Sequence, residues 1–136
     1  MQKYFPQIYV VLLISVIAII NAIADYEHLY FFIWWFDIPM HILGGFWIAL
    51  FSLTLYYRAK FPKTKDTTAL FVVVFAVAVT MIIGLCWELF EFSAQTFIER
   101  ADVHDLGDTL ADLVNDFIGA VFATLIFIRM GYNKKI

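Results

Sequence analysis

The chain has 136 residues, of which 63% are hydrophobic and 15% are charged, and its formal net charge is −3. With a mean hydropathy of +0.84, it carries more apolar surface than a globule of this size can bury. Composition therefore excludes a soluble domain and predicts a polytopic membrane protein. The single cysteine, Cys86, excludes an intramolecular disulfide framework and a cysteine-rich metal motif. By length, residues 1–136 are predicted to form one membrane domain.

Four apolar segments are long enough to cross a membrane as helices, and together they predict an all-α bundle. They cover about residues 6–24, 38–57, 69–98 and 110–128. Between the first two, the stretch LYFFIWWF (residues 29–36) is too short to cross and is dense in aromatic rings, which favour the membrane–water boundary. We expect an interfacial aromatic segment there, or an early start of the second span. The first span could alternatively be a signal peptide that is cleaved after Ala24.

Charged residues are divided unevenly between the two ends of the predicted spans. Eight of the nine basic residues lie at the N-terminus, between spans two and three, or at the C-terminal end, with Arg100 as the exception. Eleven of the twelve acidic residues lie at the opposite ends, with Asp66 as the exception. Because basic loops remain in the cytoplasm, this pattern predicts both termini inside. It also predicts a multi-pass protein of the plasma (inner) membrane, with the aromatic segment on the outer side.

This topology brings polar residues from three spans to the outer leaflet. At about 100° per residue, the polar residues of each span share one stripe along the helix. The stripes are Asp37 and His41 on span two; Glu88, Glu91 and Gln95 on span three; and Asp108, Asp112, Asn115 and Asp116 on span four. Each stripe continues inward as glycine, with both Gly44 and Gly45 on the stripe of span two. Small residues let membrane helices approach closely. We therefore expect helix packing at Gly44, Gly84 and Gly119.

The predicted cluster holds more carboxylates than one histidine and Arg100 can balance. Carboxylates this close must be partly protonated or hold a cation, and ionisable residues within a membrane mark functional sites by default. Acids near span ends, such as Asp37 and Asp108, could instead be solvated helix-start residues. We expect a divalent metal, and the residue types suit zinc, manganese, iron or magnesium without choosing between them.

Within this metal site, each polar residue has an expected role. His41, Glu88 and Asp112 would bind the metal, and Glu91 would position or deprotonate a metal-bound water. The remaining residues would support these ligands or contact the substrate. They are Asp37, Gln95, Arg100, Asp108, Asn115 and Asp116.

The motifs that carry these residues resemble those of the VanZ-like and YjdF-like families of small bacterial membrane proteins. They are DIPMH from residue 37, WELFE from residue 87, EFSAQ from residue 91 and DLVNDFIG from residue 112. Two positions depart from the VanZ-like pattern: Ile38 replaces a usual lysine, and Asp116 occupies a usual asparagine position. Both changes make the site more negative, which favours a cation. Because VanZ itself is linked with glycopeptide resistance, the resemblance implies a substrate in the cell envelope or attached to a lipid.

Three functions are compatible with these features. The first is metal-assisted hydrolysis or group transfer on a lipid-linked or headgroup substrate. The second is a carrier or lipid-binding protein whose carboxylates exchange protons or cations, and such a thin bundle would then require a homo-oligomer. The third is an assembly factor in which metal only holds the helices together. A nucleic-acid partner is not expected, since the sequence has no basic patch or motif for one.

Overall fold

The computed structural model describes residues 5–60, 64–98 and 106–134, excepting the side chains of residues 94–98. Within these ranges the regular elements are all helical. They are α1 (Gln7–Tyr26), α2 (Leu29–Phe32), α3 (Asp37–Arg58), α4 (Ala69–Ile98), α5 (Leu106–Arg129) and a 3-10 helix (Tyr132–Lys134).

Four of these helices, α1, α3, α4 and α5, are long and apolar enough to cross a membrane, which confirms the predicted number of spans. Their outer surfaces carry large exposed apolar side chains, for example Leu70, Ile82 and Phe122. Apolar surface of this extent suits hydrocarbon rather than water. Helix α5 begins earlier than the predicted span, because its first turn contains the polar residue Asp108.

Successive long helices run in opposite directions, so the bundle has two distinct ends. At one end, the start of α1 meets the ends of α3 and α5. There the Phe127 ring centroid lies 6.3 Å from that of Phe5 and 5.5 Å from that of Tyr57, and the Arg58 guanidinium donates to the Phe5 carbonyl at 3.2 Å. We call this the basic end, after Arg58 and Arg129 in the last turns of α3 and α5. The opposite end is called the acidic end.

A hydrogen-bonded loop at the basic end determines where α4 begins. The Thr68 hydroxyl accepts a hydrogen bond from the Phe71 N–H at 3.2 Å, as a helix N-cap does. The Asp66 carboxylate accepts one from the Thr68 N–H at 2.8 Å, and this bond lowers the pKa of Asp66. The Tyr57 hydroxyl donates to the Asp66 carbonyl at 2.8 Å. The loop is thereby attached to the end of α3.

Helices α3 and α5 form the centre of the bundle, α4 packs against both, and α1 packs mainly against α3. Fully buried Leu53, Val72 and Phe127 fill the core towards the basic end. The Trp47 indole N–H donates to the Val10 carbonyl at 2.8 Å, which joins α3 to α1. The most extensive helix contact is therefore the one that carries the polar stripes of α3 and α5.

Two glycines bring the backbones of α3 and α5 into contact. A Cβ atom added at Gly45 would overlap the backbone of Asp116, and one added at Gly119 would overlap the carbonyl oxygen of Ile42. The crossing point therefore lies about one helical turn from His41, so it determines how closely the polar residues of the two helices approach.

Of the three glycines that the sequence predicts as packing residues, Gly84 and Gly119 make close contacts. A Cβ at Gly84 would overlap the Asp116 carboxylate. The prediction of Gly44 is wrong, because a Cβ there would meet nothing within 4 Å. Its neighbour Gly45 makes the contact instead, since consecutive helical residues point about 100° apart.

The aromatic segment forms a separate element at the acidic end and does not begin α3. Its short helix, α2, follows His28, whose φ of 54° is in the left-handed region. Phe31, Phe32 and Trp34 are exposed. Tyr30 turns inward and donates a hydrogen bond to the Asn21 side-chain oxygen at 2.5 Å.

The negative charge of the acidic end also affects the pKa of Tyr30. Burial of its hydroxyl, followed by the nearby charges of Asp37, Asp25 and Glu91, raises the Tyr30 pKa to about 12. The phenol consequently stays protonated and can continue to donate to Asn21. Segment α2 therefore lies beside the carboxylates contributed by the long helices.

Candidate metal site

His41 lies at the centre of the polar cluster at the acidic end, with 9% of its surface exposed. Its Nδ1 atom is 3.3 Å from Asp116 Oδ1. Its Nε2 atom is 3.6 Å from Asp37 Oδ1 and 3.8 Å from Asp112 Oδ1. Asp37 precedes His41 by one turn of α3, whereas both other aspartates come from α5. One imidazole therefore faces carboxylates at both ring nitrogens.

Helix α4 contributes two glutamates to the same cluster. Glu88 is 5% exposed, and Glu91 is half-buried one turn nearer to the acidic end. Ligand atoms of Glu88, Glu91 and His41 all lie within 4.8 Å of one another, and so do ligand atoms of Asp37, His41 and Asp112. We call these sets the glutamate triad and the aspartate triad. They share His41, so the three helices meet at its imidazole.

The spacing of these atoms suits a metal ion. Zinc or magnesium binds nitrogen and oxygen at about 2.0–2.2 Å, which places neighbouring ligand atoms roughly 3.0–3.5 Å apart. The Nε2 distances of 3.6 and 3.8 Å to Asp37 and Asp112 are only slightly longer. Asp116 lies at the other ring nitrogen, Nδ1, where a metal-binding histidine commonly has a carboxylate that orients the ring. With Nδ1–H donating to Asp116, the Nε2 lone pair would point between the two aspartates.

Burial makes this cluster costly without a counter-charge. Asp112 and Asp116 are 3% and 4% exposed, and no described residue bonds to Asp112 Oδ2. One imidazolium balances at most one of the five carboxylates that surround it. Like charges at this spacing must bind protons or a cation, because an uncompensated buried charge is strongly destabilising.

The structure brings most of the predicted site residues together. The predicted ligands His41, Glu88 and Asp112 all belong to the triads, although Glu88 and Asp112 fall in different ones. Glu91 and Asp37, predicted as base and as supporting residue, offer ligand atoms as well. Asp116 contacts the His41 ring directly.

The other predicted residues lie apart from the triads or outside the described residues. Asp108 is exposed and Asn115 is half-buried, and neither belongs to a triad. The side chain of Gln95 and all of Arg100 lie outside the residues that the structure describes.

Sequence reasoning missed two positions beside the site. Gly45 was passed over for Gly44, which the helical stripe alone does not distinguish. Thr80 was not among the predicted site residues, yet it is fully buried one turn inward from Gly84. Its place on the stripe of Gly84 and Glu88, at intervals of four residues, was the available signal.

Comparison with known proteins places the chain in a family. A family model described as "Predicted membrane protein (DUF2238)" matches residues 4–133. No curated protein and no solved structure gives a significant match. This match supports membership of a family of small membrane proteins. Its description names neither the VanZ-like nor the YjdF-like family, which the motifs resemble. The chain belongs to the DUF2238 family of predicted membrane proteins.

Proposed function

We propose that this membrane protein binds one divalent cation at the acidic end and uses it for hydrolysis or group transfer on a lipid headgroup or lipid-linked substrate. The observation that supports the cation is the position of His41 between carboxylates. Asp116 lies at Nδ1, while Asp37 and Asp112 lie at Nε2. An imidazole oriented by one carboxylate and facing two others is the usual surrounding of a metal ligand.

The proposed orientation has the basic end in the cytoplasm and the site at the outer leaflet of the plasma membrane. Arg58, Arg129 and the described lysines support it, because basic residues favour the cytoplasmic side. The aromatic side chains of α2 would then lie at the outer membrane–water boundary. In this orientation the site is at the depth of lipid headgroups.

The proposed chemistry depends on the residues nearest the opening of the cluster. Asp37 keeps 34% of its side-chain surface exposed, and Glu91 is half-buried, so water and a headgroup can approach from that side. A divalent cation would lower the pKa of a bound water and polarise a phosphoryl or acyl oxygen. In this proposal Glu91, a half-buried carboxylate on that side, accepts the water's proton.

The first experiment is elemental analysis of the purified protein after exposure to Zn²⁺, Mn²⁺ or Mg²⁺. Wild type should retain close to one ion per chain, and His41→Ala and Asp112→Ala should each lose it. Asp66→Asn is the matched control, because it removes an exposed carboxylate from the basic end. An ion content equal in all four proteins, or absent from wild type, would refute the cation site.

A second experiment separates catalysis from metal binding. Glu91→Gln should abolish release of phosphate or headgroup from lipid phosphates and envelope precursors while the ion stays bound. If this variant loses the ion, Glu91 is a ligand and the assignment of the base is wrong.

A proton- or cation-coupled carrier is the second candidate, because the two-sided surroundings of His41 also suit a proton shared with aspartates. Intramembrane acids of this kind are common in transporters. Such a carrier should be at least dimeric in detergent, and its liposomes should acidify or take up ions when a gradient is applied. A strictly monomeric protein would contradict transport.

A further inference from the structure

Thr80 has an unusual hydrogen-bonding state for a hydroxyl in a membrane helix. It is 0% exposed, and its Oγ1 atom has no hydrogen-bond partner among the described residues. Thr54 and Thr124 are also buried, and each donates to a carbonyl of its own helix, at 2.7 Å to Leu50 and 2.8 Å to Val121. This local bond is the ordinary solution for a buried hydroxyl in a helix. Thr80 does not make it.

The position of Thr80 connects it to the cluster. Every fourth residue of α4 from Val72 to Glu88 is buried, and Thr80 and Gly84 are consecutive members of this stripe. The space beside Gly84 is filled by the Asp116 carboxylate, because a Cβ there would overlap Asp116 Oδ2. Thr80 is therefore the next polar group inward from Asp116.

The spacing expected between Thr80 and the Asp116 carboxylate, which occupies the place of a Gly84 Cβ, suits one water molecule. Side chains four residues apart on a helix are separated by about 5–6 Å at Cβ. Two successive hydrogen bonds of about 2.8 Å span a similar length. A buried hydroxyl without any partner costs free energy that a valine of the same shape would avoid. The presence of this hydroxyl therefore indicates that Thr80 binds a polar ligand and does not serve packing alone.

We propose that the polar site continues one turn into the bundle, where Thr80 Oγ1 and the Asp116 carboxylate together bind one water molecule. This water donates to Asp116 and keeps it an acceptor for His41 Nδ1–H. Nε2 is thereby left as the ring nitrogen that faces Asp37 and Asp112. Thr80 is a positioning residue that acts on His41 through Asp116. The effect on cation binding rests on the proposed function, whereas the water position does not.

The first test compares melting temperatures of metal-free proteins in detergent. Thr80→Val should lower the melting temperature because it removes a bonded hydroxyl, and Thr80→Ser should retain the wild-type value. Thr124→Val loses the known bond to Val121 and gives the size of the decrease expected for one hydrogen bond. A melting temperature of Thr80→Val equal to or above that of wild type would overturn the proposal.

An infrared measurement decides the question even if Thr80→Val does not fold. In a Cys86→Ser background, Thr80→Cys carries a single thiol, whose S–H stretching band reports its hydrogen bonding. We expect a band shifted by hydrogen bonding that moves to the S–D position in D₂O. Thr124→Cys in the same background is the control, and we expect slow exchange there. A thiol at position 80 that neither shifts nor exchanges would overturn the water position.

The last arm measures Mn²⁺ affinity. Thr80→Val should weaken binding by about tenfold, as loss of a group that supports a metal ligand does, while Thr80→Ser and Thr124→Val should not. Unchanged affinity in Thr80→Val would overturn its positioning role. If wild type binds Zn²⁺ or Mg²⁺ instead of Mn²⁺, the same comparison is made with that ion. A wild-type protein that binds none of the three would refute the proposed cation site, and the melting and infrared results would still decide the water position.

Discussion

The glycine crossing of α3 and α5 gives the sharpest prediction, because two adjacent glycines have opposite surroundings. Gly44→Ala adds a methyl group with nothing within 4 Å, whereas Gly45→Ala places it in the backbone of Asp116. Alanine favours a helix interior over glycine by about 1 kcal/mol. This gain is common to both variants and cancels in their difference. The remaining difference is the cost of overpacking, about 1–3 kcal/mol.

The assay is reversible unfolding in mixed detergent micelles with increasing SDS, followed by tryptophan fluorescence. Gly44→Ala should be as stable as wild type or more so, and Gly45→Ala should have a free energy of unfolding lower than Gly44→Ala by about 1–3 kcal/mol. Gly119→Ala should resemble Gly45→Ala, because its methyl group would overlap the Ile42 carbonyl. Equal stability of Gly44→Ala and Gly45→Ala would refute the backbone contact.

Three further predictions concern the acidic end. Gly84→Ala should weaken cation binding about 10- to 100-fold while the fold is retained, because its methyl group displaces the Asp116 carboxylate from His41; a titration with Mn²⁺ measures it. Removing the ion with a chelator should destabilise wild type by about 2.7 kcal/mol relative to an ion concentration 100 times the Kd. Tyr30 has a folded-state pKa of about 12 against an ordinary 10.0, so its contribution to stability should be complete below pH 10 and be lost as the pH rises through 12.

Each of these has its own control. Gly44→Ala should leave the Mn²⁺ affinity unchanged, and an equal loss in Gly44→Ala and Gly84→Ala would contradict the role of Gly84. The chelator should have no effect on the stability of His41→Ala. Between pH 10 and 12, Tyr30→Phe should lose less stability than wild type does. Tyr26→Phe, which alters an exposed residue, should lose as much stability as wild type. A wild-type profile in Tyr30→Phe would show that another group titrates there.

Much of the fold could be predicted from the sequence, because a segment exposed to lipid must satisfy its backbone hydrogen bonds internally. About 20 apolar residues must form a helix, since no water is available to satisfy the backbone. Short basic and acidic loops then alternate along the chain. From these, Asp37, Glu88 and Asp112 could be assigned to one end of the bundle, because Asp37 and Asp112 lie near the N-termini of α3 and α5, and Glu88 lies towards the C-terminus of the antiparallel helix α4.

The finer features of the site depend on contacts that helical phase does not resolve. Adjacent residues differ by about 100° in direction, but the choice between Gly44 and Gly45 depends on where α5 crosses. Grouping Glu88 with Glu91 rather than with Asp112 depends on side-chain rotamers and on how far apart α4 and α5 lie. Thr80 lies on the stripe of Gly84 and Glu88, but the sequence does not show whether its hydroxyl bonds to its own helix.

The crossing of α3 and α5 also has a consequence for how the protein is made. These two helices are the least apolar of the four, with mean hydropathies of 1.7 and 1.8 against 2.4 for α1 and 2.9 for α4. Helix α3 leaves the ribosome well before α5, so His41 enters the translocon with Asp37 but without Asp112 and Asp116, which later lie beside its ring. In the nascent chain, α3 therefore remains without its contacts to α5 until that last span is inserted. Insertion of α5 should therefore be the step at which the protein becomes resistant to membrane proteases.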